Sequence, residues 1–232
     1  KLLIFTSLKI FPLSVVKIIF LITPKIGKYL VKATDPNYKA QMGYSTYDGI
    51  DLRKTLCDGH KLYVDVNEHI GHRVYTTGTF DSSLLNFLKR HAIRDITVYD
   101  IGANIGTVCM PIAHCSNIEV IAFEPADRNY GLLVLNNYLN LSKFRTIPIA
   151  ISENENDNIE IQELSVNVTN AGSSSLVNNW NDRRGDVQTQ SILSARLDFL
   201  HKFYELANPD IIKIDVEGHE LRALRSMTSI LS

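Results

Sequence analysis

Residues 96–106 read ITVYDIGANIG, an apolar run broken only by Thr97 and Asp100, followed by a turn flanked by Gly102 and Gly106. The run predicts a strand buried on both faces, and the turn leads into a predicted helix over 105–115. The same alternation repeats downstream. IEVIAFE (118–124), FRTIPIAI (144–151) and DIIKIDV (210–216) read as strands. DRNYGLLVLNNYLNL (127–141), ARLDFLHKFYELA (195–207) and HELRALRSM (219–227) read as helices. NIEIQEL (158–164) and QTQSILS (188–194) read as shorter strands. Apolar strands that alternate with helices imply an α/β protein: a mainly parallel sheet with helices on both faces.

Upstream, KLYVDVN (61–67) alternates like a strand, HRVYTTGTF (72–80) reads as a second one, and Asp81 is placed to cap a helix through SSLLNFLKRHA. Residues 33–60 are polar and turn-rich and read as a connector, so the expected domain covers 61–232. Residues 1–32 carry six lysines between apolar runs and no acid. No uncharged run there reaches the ~18–20 residues of a membrane span. Three readings of this basic, apolar, helical extension stand: helices lying in a membrane interface, helices packed on the domain with their lysines outward, or a cleaved or spanning segment. SENENDN (152–158) and VNNWNDRRGD (177–186) read as polar surface loops.

Composition narrows the function. The 232 residues are 45% hydrophobic and 21% charged, which fits a globular chain. The formal net charge of -1 supplies no global basic field for nucleic acid. Cys57, Cys109 and Cys115 form no CxxC pattern, so neither a disulfide framework nor a metal site is expected, and a reducing, cytoplasmic setting follows.

Three strand ends carry the chemistry. Gly102 lets the chain turn sharply off the first strand where backbone and ligand are expected to approach closely, and Gly106 lets the first helical turn approach a ligand without a Cβ in the way. The G-x-x-x-G spacing does not meet the dinucleotide fingerprint G-x-G-x-x-G. Asp100, beside that turn, would repel a pyrophosphate and suit an ammonium group, which favours an amino-acid-bearing nucleoside over a dinucleotide. Glu124 ends the second strand, where an acid can accept both hydroxyl hydrogens of a ribose. The fourth core strand ends in DVEGHE, which gathers Asp215, Glu217 and His219 on the same edge. His219 is the leading candidate for a general base, with Glu217 or Asp215 orienting it or binding the acceptor. Ordinary helix-capping chemistry is the competing account of this last cluster.

VYDIGANIGTV, IAFEPADRNYGLLVLNNYLN and IIKIDVEGHELRAL together resemble the consecutive motifs of the FkbM-type methyltransferases. The resemblance covers roughly residues 61–232. It implies a Rossmann-like class I methyltransferase using S-adenosyl-L-methionine, with O-methylation of a hydroxyl on a glycan, a lipid-linked sugar or a small molecule. Carried over by motif, Asp100, Gly102, Asn104 and Gly106 match the cofactor loop and Glu124 the ribose acid. Ser152 and Glu153 fall where an adenine-flanking loop follows the third strand, and Asp215, Glu217 and Gly218 match the end-of-strand signature. The resemblance also implies three further strands after the fourth. The sequence ends at Ser232, so the expectation is a C-terminally incomplete domain whose fourth strand is an open apolar edge. A nicotinamide dehydrogenase and a non-catalytic cofactor-binding fragment are the alternatives.

Overall fold

The computed structural model describes residues 17–20, 50–91, 94–141, 144–154, 156–167 and 187–232. In chain order, strand β1 (Lys17–Phe20) precedes a hairpin of β2 (Leu52–Cys57) and β3 (His60–Asp65), then helices α1 (His69–Thr77) and α2 (Ser82–His91). The alternating part follows: β4 (Ile96–Ile101), α3 (Cys109–Ala113), β5 (Ile118–Phe123), α4 (Asp127–Leu139), β6 (Arg145–Ile147) and β7 (Ala150–Ile151). The remaining elements are β8 (Glu160–Asn167), β9 (Val187–Ala195), α5 (Leu197–Phe203), β10 (Ile211–Ile214) and α6 (Glu220–Arg225).

Five strands form one parallel sheet in the order β1-β10-β4-β5-β6. A separate sheet, β7-β9-β8, pairs β8 and β9 antiparallel and β7 with β9 parallel. The period-two alternation of the strands splits the core in two. Val98, Val120, Ala122 and Ile211 face Leu62, Leu84, Leu88, Met110, Ile112 and Leu133. Tyr99, Ile101, Ile121, Phe123, Ile212 and Ile214 face Leu197, Leu200, Ala223 and Met227. Helices therefore cover both faces, as the alternation of apolar strands and helices requires. The Cys57, Cys109 and Cys115 thiols are free.

Helix α4 buries asparagines and exposes Tyr138. Asn136 accepts from Tyr63 N at 2.6 Å and donates to Tyr63 O at 3.1 Å and Ile105 O at 2.9 Å, so one amide joins β3 to the loop after β4. Asn136→Leu leaves these buried backbone groups without partners. It is expected to destabilise the fold by at least about 2 kcal/mol, read as a lowered midpoint in thermal or urea unfolding.

Several expectations change. HRVYTTGTF is not a strand: His69–Thr77 is helical. Glu68 caps it by accepting from Ile70 N and Gly71 N, and Gly78 closes it at φ 71. FRTIPIAI breaks at Pro148 into β6 and β7, which belong to different sheets. The helix expected over 105–115 is confined to Cys109–Ala113. The connector assigned to 33–60 contains β2, which pairs with β3. The β10 edge is not open, because β1 pairs with it in parallel register. Residues 17–20 are thus extended where helix was expected, and the rest of 1–32 and the loop at 177–186 lie outside the described residues. No helix among the described residues is long and apolar enough to cross a membrane.

Candidate active site

In the large sheet, β5 and β6 succeed β4 on one side, whereas β10 lies on the other. The order reverses between β4 and β10, and loops leaving the carboxyl ends of neighbouring strands diverge there, opening a crevice. It holds about 590 Å³ of empty space, open solvent at its mouth included. Gly102, Asn104, Glu124, Asp215, Glu217 and His219 line it. Asp100, Gly106, Ser152 and Glu153 do not.

The loop after β4 is held from two sides. Gly102 N and Ala103 N both donate to Phe123 O at 3.0 Å. Asn104, at φ 53, donates its N–H to Glu124 Oε2 at 2.9 Å. Ala126 N donates to the other oxygen, Oε1, at 3.0 Å. Each Glu124 oxygen keeps a further lone pair for a ligand hydroxyl. Burial pushes Glu124 up to about 7, although the Ala126 and Asn104 N–H groups pull the other way.

The two glycines serve packing more than ligand clearance. A Cβ on Gly102 would sit 2.1 Å from Asp215 O, and one on Gly106 would sit 2.9 Å from Leu133 Cδ1. Asp100 is fully buried. Lys213 Nζ lies 2.7 Å from its Oδ1, and Cys109 Sγ donates to its Oδ2 at 3.0 Å. The carboxylate expected to meet a ligand ammonium is thus turned beneath the loop and neutralised there.

The DVEGHE segment divides its work. Asp215 borders the crevice, and burial pushes it up to about 6 against the pull of the Lys213 charge. Glu217 also borders it, with its backbone in the left-handed region at φ 43. His219 is 3% exposed, and its Nε2 is hydrogen-bonded to Ser152 Oγ at 3.0 Å. Burial, then the Arg222 charge, push the imidazole down to about 4. It is neutral near pH 7, but it is a weak base whose Nε2 already has a partner. Ser152 thereby ties the loop after β7 to the N-terminus of α6. Glu153 points away, with an oxygen 3.5 Å from Arg225 Nη1 at the surface.

Sequence reasoning missed the apolar wall formed by Ile149, Ala150, Ile151 and Leu164, and missed Asn129 on the first turn of α4. Pro148 was the available signal that IPIAI leaves the sheet and crosses the crevice. Among the described residues, no group of three or more His, Cys, Asp and Glu is placed to hold a metal ion.

A crevice at the switch point of a parallel sheet covered by helices on both faces defines a Rossmann-like α/β domain. The chain belongs to the Vibrio cholerae RfbT protein family, whose model matches residues 57–230. The match does not itself show the FkbM-type family that the motifs resemble. A curated relative, hexuronic acid methyltransferase AglP of Haloferax volcanii, is 28% identical over 154 residues, covering 65% of this chain. The chain spans 58% of that relative's length. Among solved structures, Pyrococcus horikoshii TYW2 in complex with MeSAdo is 19% identical with a TM-score of 0.35, covering 59% of this chain and 54% of that one. Methanocaldococcus jannaschii TYW2 in complex with AdoMet is 18% identical with a TM-score of 0.33, covering 52% of this chain and 66% of that one. At such TM-scores neither likeness carries an argument.

Proposed function

We propose that the crevice binds S-adenosyl-L-methionine and that the chain forms the donor-binding core of a methyltransferase acting on a sugar or glycan hydroxyl. The observation that carries this reading is Glu124, held by Asn104 N and Ala126 N at the tip of β5 with lone pairs left for a ribose diol. The residues present suit the rest of the donor. Ile149, Ala150, Ile151 and Leu164 offer apolar surface for a purine, and Asp215 offers a carboxylate to a cation in place of Asp100. The curated relative is described as acting on a hexuronic acid, which supports a saccharide acceptor.

When bound, the donor supplies a methyl group on a positively charged sulfur, which an acceptor oxygen can displace in line. The protein's share is to hold that oxygen at attack distance and alignment, worth up to ~7–11 kcal/mol. We assign Glu217, which borders the crevice, the role of accepting the acceptor's hydroxyl hydrogen. His219 positions the two loops through Ser152. His219→Ala is therefore expected to lower turnover less than tenfold and to leave the acidic limb of the pH–rate profile in place. A loss of ~10²–10⁴-fold with a flattened limb would restore His219 as the base.

The test is transfer of labelled methyl to an oligosaccharide containing uronic acid, a neutral oligosaccharide and an RNA. Label on a saccharide oxygen is expected. Label on the RNA alone would overturn the acceptor reading.

A further inference from the structure

Lys213 stands in a strand otherwise made of isoleucine, and it is 4% exposed. In the parallel register it lies directly opposite Asp100. The alternation of the two strands turns both side chains to the face that α3 covers. Its Nζ is 2.7 Å from Asp100 Oδ1 and donates to the carbonyl of Gly102 at 2.9 Å.

Stability does not account for this arrangement. Removing two charges from water costs about what their attraction returns, and a well-packed apolar pair of similar volume often serves a core as well or better. The bond to Gly102 is the informative one. Gly102 sits at φ 79, and the peptide plane joining it to Ala103 is rigid. Lys213 grips the oxygen of that plane from β10, while Phe123 O accepts its N–H from β5. The next N–H, of Asn104, is the one that meets Glu124.

We propose that Lys213 is a positioning residue: its ammonium clamps the Gly102–Ala103 peptide and cancels the charge of Asp100, so that the acids a cationic ligand meets are those that border the crevice, Glu124, Asp215 and Glu217. The ligand half of this proposal rests on the donor reading above; the clamp does not. The groups that face the ammonium are Asp100 on β4, Asp215 beyond β10, Cys109 on α3 and, at longer range, Glu124 beyond β5. The Lys213 charge favours ionisation of both Glu124 and Asp215. Its loss makes both harder to ionise, so the affinity of a cationic ligand should reach its midpoint at higher pH.

The test compares the wild-type chain with Lys213→Met and with the double variant Lys213→Met/Asp100→Asn. One readout is amide hydrogen exchange at Ala103 and Asn104 without ligand; the other is calorimetric S-adenosylmethionine affinity from pH 5.5 to 8.5. Lys213→Met is expected to speed exchange at these amides at least tenfold, to weaken binding at least tenfold, and to move the pH midpoint upward. The double variant, which removes both charges, is expected to return the midpoint toward wild type while exchange stays fast. Wild-type exchange and an unchanged midpoint in a folded Lys213→Met overturn the proposal. If that variant does not fold, wild-type exchange in the double variant overturns it, and failure of both to fold assigns Lys213 a purely structural role. Silence of the wild-type titration would sink the donor reading, and the exchange comparison would still decide the clamp.

Discussion

Gly102→Val is expected to unfold the domain rather than merely empty its crevice. A Cβ at this position would stand 2.1 Å from the carbonyl oxygen of Asp215 and 3.2 Å from Val216 Cγ1. The first of these is backbone of the neighbouring strand's end and cannot swing away as a side chain can. The backbone at φ 79 is also closed to a β-branched residue. Overlap and strain together place the change among the exceptional substitutions that cost more than ~4 kcal/mol, a large share of a domain's stability. Circular dichroism should show no cooperative melt, or one far below wild type. A wild-type melt with binding alone lost would return Gly102 to the role the sequence suggested, clearance for a ligand. Gly106 is the milder case, since the obstructing atoms belong to the flexible Leu133 and Met110 side chains.

Glu124→Gln is expected to weaken S-adenosylmethionine binding at least tenfold, because a charged acceptor of ribose hydroxyls is worth ~1.5–3 kcal/mol per bond. The effect should depend on pH. Glu124 in the folded protein is raised from 4.5 to about 7, so between those values the folded state binds more protons than the unfolded one. Its contribution to stability is therefore fully present below 4.5 and is lost as pH rises through about 7. Ligand hydroxyls favour the carboxylate, so wild-type affinity should fall as pH drops below about 7, and binding there should release a proton. Calorimetry in buffers of different ionisation heat measures that proton. In Glu124→Gln the part of the release and the part of the stability slope due to Glu124 should vanish, leaving the smaller release due to Asp215 below about 6. An unchanged affinity would remove Glu124 from the site.

Strands β4, β5 and β10 were legible because burial on both faces forces a continuous apolar run, and the edge carrying Glu124 and Asp215 followed from their place at strand ends. What failed depended on helix caps that override propensity, or on partners far away in sequence. Val74, Tyr75, Thr76 and Thr77 favour a strand by propensity, yet the Glu68 cap and the Gly78 terminus hold them in a helix. Asp100 looked like a ligand group because nothing in YDIG reveals that β10 lies beside β4 in a register that sets Lys213 opposite it. The lysine inside IIKID was a readable sign that a buried cation needed an acid. His219 was rightly placed at the crevice, but its bond to Ser152 joins residues 67 positions apart. No local pattern encodes such a contact.

The central claim, that the acid at the tip of β5 and the loop beside it hold an amino-acid-bearing nucleoside, is tested most directly by titrating the chain with S-adenosylmethionine and with NAD at pH 8. Saturable one-site heat with S-adenosylmethionine, none with NAD, and at least tenfold weaker binding in Glu124→Gln are the expected results. Binding of NAD without binding of S-adenosylmethionine would contradict the account.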